Sequence, residues 1–372
     1  MDFTLTEEQV LLRESVVKYV SDHGGVERHR KLANTEMGFE PQAWLSFAEL
    51  GWLALPISEE DGGLGGTTTD LMVLCEAMGR GLVREPYLHT VVSCGGLLSA
   101  GANAQQRADY LQPLSAGESQ WAFAFAEQSS GYSFTAIETC ATATGDAFSI
   151  SGSKIAVLNG NAADHFIVTA NIDSALTLFI IDADHSGVTI EPFTAVDGSR
   201  GAVLRLEDVA VSADAVLGDP GEALPLINQM LDCAVIAIAA ESVGAMQVLL
   251  DVTVEYAKTR EQFGKPIGTF QALQHRMADM YLKLEETRSL LFNAAIALEQ
   301  GSDDASAACA GLKVKLGEAG RFISHEAVQI HGGIGMTDEL IVGHLFKRLL
   351  LLAKLYGDDE YYLQRYSELR AA

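Results

Sequence analysis

Two segments carry the side chains best suited to binding chemistry. In the first, an Arg-Glu-Gln-Phe-Gly run begins at Arg260, and Gln271 opens the next helical stretch. The planar guanidinium group of arginine offers several hydrogen-bond donors that match a diphosphate, and a glutamine amide can hydrogen-bond to polar atoms at the edge of a ligand. In the second, Gln329 precedes Gly332 and Gly333, a glycine pair that lets backbone approach a ligand. Each segment alone is also typical of an ordinary helix connection or helix cap.

Apolar residues recur at three- and four-residue steps near both ends of the chain, which predicts helices there. The predicted helical stretches include 6–17, 41–50, 68–79, 224–256, 271–301 and 305–331, and Thr6 with Gln9 could form a capping box. Between residues 121 and 217 the pattern changes to short alternating or β-branched runs, which is typical of an antiparallel β domain. We therefore expect a mainly helical α+β chain: helical over 1–118, β over 119–220 and helical again over 221–372.

The composition argues against several classes of protein. The 372 residues carry 50 acidic and 25 basic side chains, and this net charge of −25 repels nucleic acid and anionic membrane surfaces. Without a run of about 20 uncharged apolar residues, we expect no membrane insertion. The five single cysteines predict reduced thiols, and the isolated His331 and His344 predict no metal site. The acidic first residues do not resemble a signal peptide, so we expect a cytoplasmic protein.

Four motifs, in their order along the chain, carry a resemblance that none carries alone. They are Phe3-Thr-Leu-Thr-Glu-Glu-Gln, Glu60-Asp-Gly-Gly-Leu-Gly, Arg260-Glu-Gln-Phe-Gly-Lys and Gln329-Ile-His-Gly-Gly-Ile-Gly. On these motifs the chain resembles the acyl-CoA dehydrogenase family over essentially its full length. The resemblance implies an N-terminal helical domain, a central β domain and a C-terminal four-helix domain, assembled as dimers of dimers.

The resemblance also implies FAD bound between subunits, an acyl-CoA thioester as substrate and an electron-transfer flavoprotein as electron acceptor. In this family a glutamate takes the α-proton while the β-hydride passes to the flavin. Asp232 stands where the family has a carboxylate near the CoA moiety, and it is either in that role or a solvated residue. The positions that would contact FAD are Arg260, Phe263, Gly264 and Gln271 at the diphosphate and adenine end, and Gln329, Gly332 and Gly333 from a neighbouring chain.

Neither of the family's usual base positions holds a carboxylate. The glutamate of the C-terminal Tyr-Glu-Gly-Thr motif corresponds to Tyr356, a phenol with an ordinary pKa of about 10. The alternative position, early in the first long C-terminal helix, corresponds to Ala234. Glu241 lies seven residues later, and about 700° of helix rotation returns it to nearly the same face, about 10 Å along the axis. Glu241 is therefore either a substitute base or a carboxylate paired within the helical domain.

The family's flavin pocket is also altered. The Thr-Glu-Pro-Gly-Ala-Gly-Ser-Asp loop corresponds to residues 126–133, Ala-Glu-Gln-Ser-Ser-Gly-Tyr-Ser. The tryptophan and threonine that flank the flavin ring correspond to Ala156 and Leu158, so a stacking ring and a hydroxyl are both replaced. The edge that binds a neighbour's FAD is retained, whereas the pocket for this chain's own flavin ring is not.

Three functions follow from these departures. The pattern resembles the small subunit of heteromeric enzymes of the pimeloyl-CoA dehydrogenase type, in which a homologous large subunit of an α2β2 tetramer supplies the base. The second function is a self-sufficient homotetrameric dehydrogenase with Glu241, or less readily Tyr356, as its base. The third is a structural homologue that has lost FAD. The sequence leaves the acyl group and the partner undefined.

Overall fold

The computed structural model describes residues 4–371, and contacts within the chain divide it into two units. The helical unit comprises the chain up to Lys31, Thr67–Val83 and the chain from Val235 onward. The sheet unit comprises Leu32–Gly66 and Arg84–Ala234. The helices are α1 (Glu7–His23), α2 (Val26–Ala33), α3 (Pro41–Glu49), α4 (Thr68–Gly79), α5 (Gly96–Gly101), α6 (Ala104–Ser115), α7 (Ala223–Thr259), α8 (Gln271–Glu299), α9 (Ala305–His331), α10 (Ile341–Lys354) and α11 (Asp359–Ala371).

The strands lie mainly between α6 and α7, as the alternating pattern predicts. They are β1 (Trp121–Ala124), β2 (Cys140–Thr144), β3 (Ala147–Leu158), β4 (His165–Ile172), β5 (Ala175–Asp182), β6 (Val188–Thr194), β7 (Arg200–Ser212) and β8 (Val216–Leu217), followed after α7 by β9 (Glu261–Gln262) and β10 (Lys265–Pro266). The predicted domain boundaries fall between elements, because residue 118 lies between α6 and β1 and residue 220 lies between β8 and α7.

Helix α9 is the central element of the helical unit. It packs against α8, α10 and α11, while α4 packs against α1 and α8. The first helix begins as predicted, because the Thr6 side chain accepts from the Gln9 N–H and the Gln9 side chain accepts from the Thr6 N–H. The helical period thus predicted the long helices of this unit, whose apolar side chains are buried along the helix, as in α9.

The sheet unit is built on one sheet with the strand order β6-β7-β3-β2-β4-β5-β8, and β1 pairs beside β4. Most neighbours are antiparallel, as expected, but β1 runs parallel to β4 and β2 touches β4 in parallel through a single pair. One face of the sheet carries a buried apolar cluster that includes Ile150, Phe166, Phe179 and Leu204. A π-helix, Leu88–Gly95, leads into α5 and was not predicted from the sequence.

Helix α7 is a long and apolar helix. By length and composition it could cross a bilayer, with a mean hydropathy of 1.9 over its most apolar window. However, 78% of that window is buried inside the protein, as in the core helix of a folded domain. The apolar window is therefore weak evidence for a membrane span, and the absence of membrane insertion stays a prediction.

Candidate cofactor-binding site

The Arg260 segment folds into a two-stranded hairpin at the end of α7. Strands β9 and β10 pair antiparallel, and Phe263 and Gly264 form the turn with φ values of 54° and 76°. Two successive positive φ values are typical of the type I′ turn that closes two-residue hairpins. Glycine adopts this conformation at little cost, whereas phenylalanine is strained in it. The hairpin therefore holds Phe263 at its tip in a backbone conformation that is unfavourable for phenylalanine.

The ring at the hairpin tip is open to solvent. Phe263 is 93% exposed and meets the ring of Phe270 edge-on at a centroid distance of 6.2 Å. The ammonium group of Lys265 lies 4.5 Å from the centre of the Phe270 ring. Strain and exposure at one aromatic residue, next to a cation, together indicate a binding surface.

Arg260 and Gln271 stand on either side of this hairpin with exposed side chains. The carbonyl of Arg260 accepts a hydrogen bond from the N–H of Ile267 at 2.8 Å, which closes the loop. Within residues 4–371 the guanidinium has no hydrogen-bond or ion-pair partner. Gln271 is the first residue of α8, whose N-terminus has no side-chain cap. A free guanidinium fork beside an uncapped helix N-terminus suits a phosphate group.

The second predicted segment lies at the end of α9. Gly332 terminates the helix with a φ of 64°, and added Cβ atoms at Gly332 and Gly333 would meet nothing within 4 Å. Gln329 is exposed one turn earlier, and Ile334 and Met336 are 47% and 67% exposed just beyond. The glycine pair therefore faces open space, with an amide and two apolar side chains next to it in the sequence.

An aromatic contact joins the two segments. The ring of Tyr256, in the last turn of α7, stacks on the ring of His331, the last residue of α9, at 4.4 Å and 23°. The hairpin and the glycine pair start within a few residues of this stack, so the structure brings the two segments to one side of the helical unit. Their chemistry fits the diphosphate and adenine half of FAD, although the role of each residue stays a prediction.

The ends of α7 and α9 are held by buried contacts. His331 is 6% exposed, and its Nδ1 lies 2.8 Å from the carbonyl oxygen of Ala327. Burial lowers the pKa of His331, although the contact with Ala327 opposes this effect. A neutral imidazole stacked on a phenol ring keeps the two helix ends together at physiological pH.

In the sheet unit, the loop at residues 126–133 is anchored by a buried ion pair. The ammonium group of Lys154 lies 2.6 Å from a carboxylate oxygen of Glu127, and the side chains are 0% and 5% exposed. Glu127 also accepts hydrogen bonds from the N–H groups of Glu138 and Thr139 and from the Thr139 hydroxyl. Burial lowers the pKa of Lys154 to about 8, although Glu127 opposes this effect. The carboxylate of Glu127 therefore anchors the loop at residues 126–133.

The position of the family's stacking tryptophan lies on a bulge of β3. The β3–β7 register shifts between Lys154 and Val157, and Ala156 is exposed with a φ of 53°. Leu158, at the position of the threonine, is 8% exposed within the apolar core. The bulge still directs residue 156 outward, but a methyl group replaces the ring. The described residues of this strand therefore provide neither the stacking surface nor the hydroxyl that the family uses for its flavin.

Three phenylalanines stack on one another beside the same loop. Phe125 and Phe134 lie 4.5 Å apart at 24°, and Phe123 stacks on Phe125 at 5.3 Å and 25°. Phe123 and Phe134 are each 5% exposed. Phe125 and Phe134 flank the loop that corresponds to the family's flavin loop. The rings of these phenylalanines therefore pack on one another within the protein.

The predicted base positions hold no free carboxylate. Tyr356 is 7% exposed with a φ of 57°, and Ala234 is fully buried. Glu241 is held by Arg348 in α10: Nε donates to Oε1 at 2.6 Å and an Nη donates to Oε2 at 3.0 Å. The pair is mostly buried, with side-chain exposures of 18% and 16%. A bidentate pair occupies both carboxylate oxygens, so the geometry favours the structural interpretation of Glu241 over the catalytic one.

Asp232 is not a solvated residue. It lies in α7 and is 6% exposed. Burial, with a smaller effect of the Asp232 charge, raises the pKa of the adjacent Cys233 thiol to about 11. A role near the CoA moiety stays a prediction. Among residues 4–371, no group of three or more His, Cys, Asp or Glu side chains could hold a metal ion.

Comparison with known proteins defines the class. The family models for the acyl-CoA dehydrogenase N-terminal, middle and C-terminal domains match residues 6–118, 122–209 and 224–368. The chain therefore belongs to the acyl-CoA dehydrogenase family, whose members bind FAD and are oxidoreductases acting on CH–CH groups. The three-domain fold predicted from the motifs is confirmed.

The similar proteins include a curated dehydrogenase and two solved structures. The chain is 33% identical to a probable acyl-CoA dehydrogenase, YngJ, of Bacillus subtilis, with 97% of each chain covered. Among solved structures it is similar to a variant of the Tcur3481-Tcur3483 steroid ACAD, with 31% identity, a TM-score of 0.90 and 99% of each chain covered. It is also similar to the ChsE4-ChsE5 complex from Mycobacterium tuberculosis, with 27% identity, a TM-score of 0.92 and coverage of 100% of this chain and 99% of that one.

Sequence reasoning missed two features of the site. The partner of Glu241 was not predicted, because Arg348 is 107 residues away and no local spacing connects them. The phenylalanine stack was also missed, although the alternation Phe123-Ala-Phe125 and the nearby Phe134 were a readable signal of aromatic packing.

Proposed function

We propose that this chain is the small subunit of a heteromeric FAD-dependent acyl-CoA dehydrogenase. It completes the FAD site of a homologous large subunit in an α2β2 assembly and supplies no general base of its own. The large subunit carries out α,β-dehydrogenation of an acyl-CoA thioester, and an electron-transfer flavoprotein accepts the electrons. Residues 260–271 and 329–333 of this chain hold the diphosphate and adenine end of the partner's FAD.

The observation that carries this proposal is a contrast within the chain. Residues suited to the diphosphate and adenine end of FAD are present, whereas the residues that would stack on the flavin ring are replaced. The helical unit presents a free Arg260 fork, an exposed Phe263 and an open glycine pair. The sheet unit has Ala156 at the ring-stacking position and pairs its nearby phenylalanines with each other. A chain that serves another subunit's cofactor needs the first set and not the second.

Two further points support the heteromer. The Tcur3481-Tcur3483 enzyme and the ChsE4-ChsE5 complex each combine two differently named proteins. In addition, both carboxylate oxygens of Glu241 accept hydrogen bonds from Arg348, and this ion pair disfavours protonation of Glu241 by substrate. Both points favour a large subunit as the source of the base.

The test is native mass and flavin content per chain, for this chain alone and co-expressed with its candidate large subunit. We expect no flavin on the chain alone and one FAD per two chains in a mixed tetramer. One FAD per chain in a homotetramer would overturn the proposal, and a mixed tetramer without any flavin would favour a structural homologue.

The variant Glu241→Gln tests whether this chain or the large subunit supplies the base that removes the α-proton. Its control is Glu191→Gln, because Glu191 makes the same bidentate contact with Arg205, at 2.7 and 3.1 Å, on exposed strands. We expect turnover per assembled complex to stay within about twofold of wild type for both variants. A collapse of turnover for Glu241→Gln alone, with flavin and native mass unchanged, would make Glu241 the base.

A further inference from the structure

A cavity of about 530 Å³ lies within the helical unit, between α1, α4 and α8. Its lining is contributed by Leu5, Arg13, Val17, Met72, Val73, Glu76, Ala77, Arg80, Arg288 and Phe292. Cavities of about 300–1,000 Å³ are the size of small-molecule sites. The residues that would hold FAD are elsewhere: Arg288 lies seventeen residues after Gln271, about 26 Å along α8. The cavity thus belongs to no site described above.

The charge of the rim is opposite to that of the chain. Three arginines and one glutamate line the cavity of a protein whose net charge is −25. The carboxylate of Glu76 forms an ion pair with a guanidinium nitrogen of Arg288. Arg288 is held further by Gln247 at 2.9 Å. The one acidic side chain of the rim is therefore neutralised within the protein.

Two guanidinium groups remain available. Arg80 makes only an exposed contact with Asp251 at 3.5 Å, a separation at which a surface pair contributes little. Arg13 is exposed and has no hydrogen-bond or ion-pair partner among residues 4–371. The rim thus offers one planar donor fork without a partner, that of Arg13, and a second, that of Arg80, held only by a long exposed contact with Asp251; such forks recognise an anionic oxygen pair.

The remaining surface of the cavity is apolar. Met72, Val73 and Ala77 are 1%, 4% and 2% exposed on α4, and Leu5, Val17 and Phe292 complete the lining. An apolar space left unfilled forfeits packing contacts, so an apolar group that enters it is stabilising. The cavity therefore combines a cationic rim with an apolar floor.

We propose that this cavity binds an amphipathic carboxylate, a carboxylate group on a straight apolar chain. The head pairs with Arg13 and Arg80 at the rim, and the chain lies on the apolar side chains of α4 and α8. The net charge of −25 weakens non-specific binding of such an anion to the rest of the surface. None of the residues that line the cavity is among those that we assign to FAD.

The test uses three probes on the assembled protein at low salt: octanoate, octanol without the charge and acetate without the chain. Calorimetric titration measures each affinity. We expect saturable binding of octanoate below about 10 mM, and octanol and acetate at least about tenfold weaker. Equal binding of octanol and octanoate would overturn the assignment of the rim, and absence of octanoate binding would overturn the site.

Variants of the lining residues test whether octanoate binds in this cavity. We expect the double variant Arg13→Gln/Arg80→Gln to weaken octanoate about tenfold or more, and Val17→Trp, which fills the cavity from the 43% exposed Val17, to abolish binding. The controls are Arg205→Gln/Arg370→Gln and Val196→Trp, at exposed positions outside the cavity, and these should bind octanoate as wild type does. Octanoate affinity unchanged in both cavity variants would mean that it binds elsewhere, and the proposal would fail.

Discussion

The ammonium group of Lys313 is among the most buried charges in the helical unit. The residue is 1% exposed, and Nζ donates to the carbonyls of Leu352 and Ala353 at 2.9 Å each. These carbonyls belong to the last turn of α10, which otherwise lacks intrahelical partners for them. The contact therefore fixes the end of α10, immediately before the left-handed Tyr356 at the family's base position.

The stability of the protein should depend on pH through Lys313. Burial lowers the pKa of this lysine from 10.5 to about 7, although Asp358 opposes this effect. Between these two values the unfolded chain binds a proton at this lysine that the folded protein does not, so the contribution of Lys313 to the free energy of unfolding rises with pH from about 7 to 10.5 and is constant below about 7. Lys313→Met should remove a slope of up to about 1.4 kcal/mol per pH unit.

Urea unfolding of wild type and Lys313→Met at several pH values between 6 and 10 would measure this slope, with about 1.4 kcal/mol per unit as the upper bound. Lys258→Met is the control, because Lys258 is 62% exposed and pairs only with the neighbouring Glu255. Parallel curves for wild type and Lys313→Met would mean that Lys313 stays protonated in the folded protein.

At the scale of elements, two glycines determine how α4 meets α7. A Cβ at Gly244 would lie 2.0 Å from the carbonyl oxygen of Glu76, and one at Gly79 would lie 2.0 Å from that of Glu241. Backbone therefore contacts backbone at this crossing, and no rotamer change can make room for a methyl group. This close approach also fixes the position of α7 at Glu241.

Gly244→Ala should destabilise the protein by about 1–3 kcal/mol, because the clash exceeds the gain in helix propensity. Gly96→Ala is the matched control: Gly96 lies in α5, and an added Cβ would meet nothing within 4 Å. This control should be neutral or stabilising by up to about 1 kcal/mol. Denaturant midpoints compare the two, and an unchanged midpoint for Gly244→Ala would show that the helices separate at no cost.

The elements were largely predictable and their contacts were not. Helix α4 and the strands were legible because an apolar period of 3.6 or 2 residues is a local property of the sequence. The Glu241–Arg348 pair, the Gly244–Glu76 contact and the β1–β4 parallel pairing join residues far apart in the chain. Such contacts are selected by packing of the whole unit, for which a single sequence has no local signal.

At the scale of the whole molecule, the family was recognised from the order of four motifs along the chain. The differences from the family, at the base and in the flavin pocket, were recognised from single residues. The Arg260 and Gln329 motifs were identified in the sequence, and the Tyr256–His331 stack joins the helix ends from which they start. The net charge of −25 argues against nucleic-acid binding as a main role, but it does not predict the cationic rim of the cavity, because local charge is set by the fold.

The last prediction concerns FAD retention in the assembled enzyme. Arg260→Ala removes a charged donor that we assign to the partner's diphosphate, and hydrogen bonds to charged groups contribute about 1.5–3 kcal/mol. The dissociation constant for FAD should therefore rise about ten- to a hundredfold, with a weaker dependence on salt than in wild type. Arg370→Ala is the control, since Arg370 is exposed and pairs with Asp304 on the same helical unit. Flavin fluorescence during dilution measures release, and native mass verifies assembly. If Arg260→Ala retains FAD as firmly as the control in an intact tetramer, the guanidinium does not hold the diphosphate, and the small-subunit proposal loses its main support.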